Sequence, residues 1–392
     1  MGGTGAAIGS GFDTVHANPA LLSLSRRREL NLGSQSAYFA LRMSGPSGSQ
    51  QLPAEPLRGA LIGATLPIPF GGILEDRVTL GAGFFTPADV IVRGTMLQPE
   101  RPQFPILPDR AQSVAVQTAL GVDVGHGVRV GAGFTALAGI VGTVQVGTQA
   151  SGQVGTLIDD QLVATYAPVV GASYDLGRGF RIGATYRGKL EGRLDVVIHV
   201  SDLGSITVPP LNIAGIAHYD PAQVQLEVGH VTDTFRAAMG VTYKRWSRFP
   251  GAVEPTVICP EDRPDCGAYV PPKVEFRDTF TPRLGLAWRQ LARKGVSLHL
   301  RGGAFFEQSP LPEQTEAPNL FDNHRLALTL GYGLELDEPL PRLRLDLVAQ
   351  RHFLLSRDHE KGPSVAQDNP GFPEVTSSGA VTMAALVMGV GF

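Results

Sequence analysis

A chain of 392 residues with 48 glycines, 18% charged residues and a net charge of −3 carries no basic footprint for nucleic acid or another polyanion. No run approaches the ~18 consecutive apolar residues that a spanning helix needs, and the most apolar stretch, residues 131–144, is broken by four glycines. These totals leave either two or three ordinary domains or one large β architecture. Met1 leads straight into Gly2 and Gly3, with neither a basic nor an apolar leader region. No signal peptide is read, and an exported chain would have to begin at a processed or trimmed start.

The chain opens with residues 9–24, GSGFDTVHANPALLSL, which are too short and irregular for a domain and precede the first strand-like run. Pro19 fixes its own φ and pushes Asn18 toward an extended conformation, and Asn side chains bond nearby backbone readily. The segment is either an N-terminal arm ending in a turn or a piece around which the rest is organised.

From Arg28 onward the dominant period is two. In Arg325–Leu336, six leucine or tyrosine side chains from Leu326 to Leu336 share one face, opposite Arg325, Ala327, Thr329, Gly331, Gly333 and Glu335. That is a strand with one apolar face and one polar or small one. Fourteen such segments are predicted, at 28–42, 57–69, 77–87, 113–124, 128–146, 161–176, 180–201, 222–229, 235–246, 275–289, 296–306, 324–336, 342–355 and 379–392. Their connections alternate: short links near residues 70–76, 125–127, 177–179, 230–234, 290–295 and 337–341, and longer proline-rich ones between. An even strand number with tight turns on one rim and long loops on the other marks a bacterial outer-membrane barrel. Lipid offers exposed backbone no partners, so a β structure spans it only when closed. The last strand carries Ala384, Leu386, Met388, Val390 and Phe392 on one face, ending on an aromatic as chains presented to a barrel-assembly machinery do. The expected fold is therefore all-β: a 14-stranded antiparallel transmembrane β-barrel over residues 28–392, with residues 1–27 as an N-terminal hatch, or plug, in a lumen too wide for side chains alone to fill.

Cys259 and Cys266 lie in a loop rich in proline and charge. Six intervening residues match no common zinc spacing, and an even count in a loop predicts a Cys259–Cys266 disulfide, the alternative being two free surface thiols. There is no G-x-S-x-G, H-E-x-x-H or Walker loop, and the nine histidines are scattered. The glycine-rich start follows no strand. Neither catalysis, nor a cofactor, nor a metal site is implied.

Several stretches, taken in order, resemble the FadL/TodX family of outer-membrane transporters. Gly5–Ala7, Asp13 and Asn18-Pro19-Ala20 match the family's hatch, and Val78–Pro87 (VTLGAGFFTP) its third barrel strand. Residues 243–249 (YKRWSRF) are similar to a family strand end, and residues 300–325, with Arg301-Gly302, Phe305, Gln308-Ser309-Pro310 and Asp322-Asn323-His324-Arg325, are its most specific match. The resemblance implies a channel for long-chain fatty acids or other hydrophobic compounds, with Asp13, Asn18, Pro19 and Ala20 in the gate. It also implies lateral exit where the third strand kinks, here at Gly81, Gly83 and Pro87. The glycines either permit that kink or make room for the plug. The chain departs from the family in lacking its reaching N-terminus ahead of Met1, and residues 88–112 are short for its helical loop.

The inward-facing candidates for the ligand are Phe85, Leu137, Val141, Arg187, Lys189, Arg301, Phe305 and Met383, apolar side chains with a few cations, as an amphiphile carrying a carboxylate would need. The same side chains suit packing against the plug. The expected partners are a hydrophobic small molecule (fatty acid or hydrocarbon), outer-membrane lipid and the assembly machinery, with no nucleic acid. Two rivals stand beside this reading: a FadL-like barrel serving as a protein-binding scaffold in secretion, and a general diffusion porin.

Overall fold

The computed structural model describes all residues except 47, 95–98, 108–110, 149–153, 202–210, 252–253, 258–273, 294 and 338–341. Cys259 and Cys266 lie outside the described residues. Fourteen long strands form one closed antiparallel barrel. The first five are β1 (Glu29–Gly45), β2 (Leu57–Pro67), β3 (Val78–Pro87), β4 (Ala115–Gly125) and β5 (Val128–Thr148). Next come β6 (Val154–Gly177), β7 (Phe180–Arg187), β8 (Gln223–Val231), β9 (Phe235–Lys244) and β10 (Thr279–Arg293). The circuit ends with β11 (Val296–Glu307), β12 (Arg325–Leu336), β13 (Arg342–Glu360) and β14 (Glu374–Gly391). Each pairs with its neighbours in sequence, and β14 closes on β1 from Glu29↔Gly391 to Ser44↔Thr376, so the wall has no edge.

Alternation sets which side chains meet lipid. On β12, Leu326, Leu328, Leu330 and Tyr332 are 40–60% exposed, whereas Ala327 and Glu335 are buried. A soluble sheet would reverse this arrangement. The tight turns collect on the rim that faces the periplasm in such barrels. Two of them, Gly125-His126-Gly127 and Gly177-Arg178-Gly179, hold all three residues at positive φ, which glycine tolerates best.

One predicted strand is two. The segment read as 180–201 leaves the barrel after Arg187. Gly188 packs on Pro168 of β6 and donates its N–H to the Pro168 carbonyl at 2.8 Å. The chain then crosses to run as Leu190–Ser201 parallel to the far end of β5, pairing Leu194↔Ile140 through Ser201↔Gly147. It stands beyond the last β4–β5 pair, Ala115↔Leu137. Both halves alternate, and alternation reports an extended chain without reporting its neighbour.

Residues 1–24 lie inside the barrel. They contain a short helix, Thr14–Ala17, and a 3₁₀ turn, Pro19–Leu24. On nine of the ten strands from β2 to β11, an inward glycine stands where a Cβ would collide with this segment. At Gly81, for instance, it would approach Val15 to 2.5 Å and Leu22 to 2.6 Å. At Gly131 and Gly171 the collisions are with Pro19, Ala20 and Asn18. The small residues therefore form a groove into which the segment's backbone is pressed.

Candidate functional site

The luminal segment is held by its backbone. Asn18 is fully buried; its Nδ2 donates to Ala6 O at 2.6 Å and to Ala172 O of β6 at 3.0 Å, and its Oδ1 accepts from Ala20 N at 3.1 Å. This is the extended Asn before Pro seen in the sequence, capping the 3₁₀ turn that buries Ala20, Leu21 and Leu22. Glu227 on β8, 3% exposed, accepts the amides of Gly5 at 2.8 Å and Ala7 at 2.9 Å. Gly2 N donates to Thr329 Oγ1 at 2.8 Å. From the other side, Arg187 donates to His16 O at 2.8 Å, and Thr185 donates to Ala17 O at 2.8 Å. The His16 ring meets Gln117 at 3.2 Å. Asp13 faces the opposite wall, toward Arg344, Asp346 and Arg301.

Above this segment the lumen is roofed; it is apolar on the side of β14, β1 and β3, and charged on the facing side, where Glu307 pairs with Lys244 and, at 2.9 Å, with Arg325. Three long loops interlock over it. Phe321 N donates to Gln103 O at 2.8 Å, Gln103 N donates to Asn319 O at 3.1 Å, and Asn319 Nδ2 reaches Glu100 O at 2.7 Å and Asn369 Oδ1 at 2.9 Å. Asn323 ties the roof to the barrel through Leu355 O at 2.7 Å and Ser377 O at 2.9 Å. The underside, Phe104, Leu107 and Phe321, packs on Phe39, Leu41, Leu354 and Val381 of the wall, with Phe85 and Met383 against the same cluster. Burial pushes the Asp322 carboxyl up to about 6 despite Arg325 nearby. Lys361 is pulled down to about 8 by burial while its Nζ donates to Glu316 O and Pro318 O at 2.8 and 2.7 Å.

The structure separates the eight ligand candidates. Phe85 and Met383 share the apolar cluster under the roof. Phe305 lies under the Arg283 guanidinium, 5.0 Å from the ring centroid, and edge-on to His352 at 5.5 Å. Arg187 caps the luminal segment, while Arg301 sits below it, paired with Asp346 at 2.5 Å. Leu137 is covered by Leu190 of the crossing chain. Val141 and Lys189 stand apart from the enclosed lumen. Val141 pairs with Asp195 on the part of β5 that β4 no longer accompanies, and Lys189 bonds Glu191 at 2.8 Å where the chain leaves the wall. Gly81, Gly83 and Pro87 all lie on β3, which pairs with β2 up to Gly59↔Pro87 and with β4 from Val78↔Val122 to Phe85↔Ala115, without a register shift. The wall is closed there. Gly81 seats the luminal segment, whereas Gly83 faces open space, its nearest neighbour being Gln117 Cβ at 3.9 Å. Glu227 was not singled out from the sequence, although it occupies an inward position of an alternating strand where a charge needs a reason.

A closed fourteen-stranded barrel with a lipid-facing apolar belt and an occupied lumen is an outer-membrane channel. Residues 109–392 match the model of the family described as outer membrane protein transport protein (OMPP1/FadL/TodX), and the chain belongs to that family. It is a member of a class of hydrophobic-compound channels and not an enzyme. The fold is shared with a Pseudomonas aeruginosa FadL homologue (15% identity, 99% of this chain and 97% of that one, TM-score 0.60). It is shared too with the P. putida toluene transporter TodX (14%, 100% and 99%, 0.58) and the Ralstonia pickettii toluene transporter TbuX (17%, 99% and 96%, 0.55). No protein of curated function is detectably similar in sequence.

Proposed function

We propose that this channel takes up small hydrophobic molecules passively, long-chain fatty acids among them, with residues 1–27 as its hatch. The observation that carries the reading is the apolar cluster beneath the roof, where Phe39, Leu41, Phe85, Phe104, Phe321 and Met383 meet inside a membrane channel. A diffusion pore for polar solutes has no use for such a surface. Opening the roof admits a hydrophobe to this cluster. The segment below it, held by Asn18 and Glu227, keeps the lumen from conducting small solutes.

Exit runs sideways through the wall at β3. Re-exposing an acyl chain to water costs roughly 0.8 kcal/mol per CH₂, so a path into lipid is favoured over one into the periplasm. Gly83 supports that location because it leaves the inner face of β3 bare between the cluster and the hatch. Opening requires β3 to part from β4, whose pairing with it ends earlier, at Phe85↔Ala115. Outer-membrane lipid receives the product, and the barrel-assembly machinery installs the channel.

The test ties the wall shut. Ala82 and Thr118 are directly paired across β3 and β4, and antiparallel partners stand about 4.5–5.5 Å apart at Cα, within disulfide reach. Proteoliposomes carrying Ala82→Cys with Thr118→Cys should take up toluene and dodecanoate when reduced and stop when oxidised. Uptake at the same rate in both states refutes lateral exit at β3. Uptake by neither the oxidised, the reduced nor the unmodified channel refutes the transport reading itself.

A further inference from the structure

Beneath the hatch, toward the periplasmic rim, lies a second chamber of about 810 Å3, walled by β8 to β14 and the start of β1 and roofed by the N-terminal segment. Its character is the opposite of the apolar cluster under the roof. Seven arginines line it (26, 27, 236, 289, 301, 342 and 344) with four carboxylates, Asp13, Glu29, Asp233 and Glu335, and two more, Asp337 and Asp346, pair with its wall arginines. Most of the wall cations are matched. Arg301 and Arg344 share Asp346 at 2.5 and 2.6 Å, and Arg342 bonds Glu335 and, at 3.0 Å, Asp337. Arg289 stands 3.8 Å from Glu335 and 3.9 Å from Asp337.

Arg236 is not matched. It projects from β9 into the chamber, and its one polar contact among the described residues is the Ser10 hydroxyl at 3.3 Å. Four other arginines, 181, 289, 301 and 344, crowd it there. A guanidinium withdrawn partly from water among like charges is costly unless an anion joins it. The same chamber's lining includes apolar side chains at inward positions, Val231 on β8 and Val348 on β13, the latter 38% exposed.

We propose that this chamber binds the carboxylate of a small amphiphile on the periplasmic side of the hatch, with Arg236 as the seat of the head group and Val348 along the tail. The planar fork of arginine accepts a carboxylate in two parallel hydrogen bonds, which a hydroxyl head group cannot offer. The transport reading supplies only the identity of the ligand; the charge imbalance stands without it. The chamber gives an anionic hydrophobe a resting place that an uncharged one lacks.

Binding to the full chain in nanodiscs provides the test. Dodecanoate carrying a tail diazirine should cross-link to residues 231–236 or 342–348, and unlabelled dodecanoate should displace it while dodecanol and acetate should not. Arg236→Gln should weaken dodecanoate binding roughly tenfold, the loss of one charge-assisted interaction. Arg236→Lys should restore only part of it, because an ammonium lacks the planar fork, and heat-modifiable migration should report that both variants are folded. Three results overturn the inference: cross-links confined to Phe85, Phe321 and Met383; Arg236→Gln binding as tightly as the unmodified chain; or acetate competing as well as dodecanoate. Toluene uptake by the unmodified channel is independent of all three, so it tests the transport reading alone.

Discussion

Two segments close this barrel, one at each end, and they do so by different physics. On the periplasmic side, residues 1–24 are pressed backbone-first into a groove of glycines and fastened by buried polar groups, Asn18 and Glu227 above all. On the outer side the roof rests on side chains, with Phe104, Leu107 and Phe321 wedged onto the wall. Backbone in a glycine groove leaves little that can slide, because each orphaned amide or carbonyl would cost about 1–3 kcal/mol. An apolar roof can instead be replaced by any ligand that covers the same surface. On the transport reading proposed above, that difference makes one end a static seal and the other an exchangeable one.

Removing the static seal should have the largest effect. Deleting residues 1–27 should leave a heat-modifiable barrel that admits small sugars in liposome swelling at least about tenfold faster, since a fourteen-stranded lumen is too wide for its wall side chains to fill. Swelling equal to that of the intact channel would show that the segment does not obstruct the pore. Truncating Phe321, which is fully buried, should cost the roof about 3–5 kcal/mol. Amide exchange at residues 99–107 and 317–323 should then quicken by orders of magnitude while the hatch amides keep their protection. If both ends loosen together, the two seals are one cooperative unit.

Asn18→Ala removes two donated hydrogen bonds and a cap, about 2–3 kcal/mol in all. Protease should then nick residues 9–13 from the periplasmic side, with the roof unaffected. The smallest effect concerns pH. Burial holds the Asp322 carboxyl at about 6, above its ordinary 3.8. The folded roof therefore binds that proton more tightly than the open chain does. Its contribution is complete below 3.8 and is lost as pH rises through about 6. Roof amides, corrected for intrinsic exchange, should thus lose protection between pH 4 and 7 (about the span of that shift), and Asp322→Asn should flatten the profile. A flat profile in the unmodified chain would place the carboxyl in water.

Much of this was legible beforehand because lipid imposes a rule that sequence records. The strict alternation of Leu326 to Leu336 against Arg325 to Glu335 can satisfy a membrane outside and a polar lumen inside only as a barrel strand, and the spacing of short and long links then sets which rim each turn occupies. Asn18-Pro19 likewise announces a local turn, since both residues act on their own backbone. What period two could not convey was partnership. It carried straight through Arg187, Gly188 and Lys189, where the strand changes neighbours, and it counted Val141 and Lys189 as lumen although they lie beyond the enclosed part. Nor could it distinguish Gly81, which receives Val15 and Leu22, from Gly83, which receives nothing. Those distinctions depend on contacts between residues far apart in sequence. A glycine in a strand is only an absent side chain, and the tertiary structure alone decides whether another part of the chain fills that space or leaves it open.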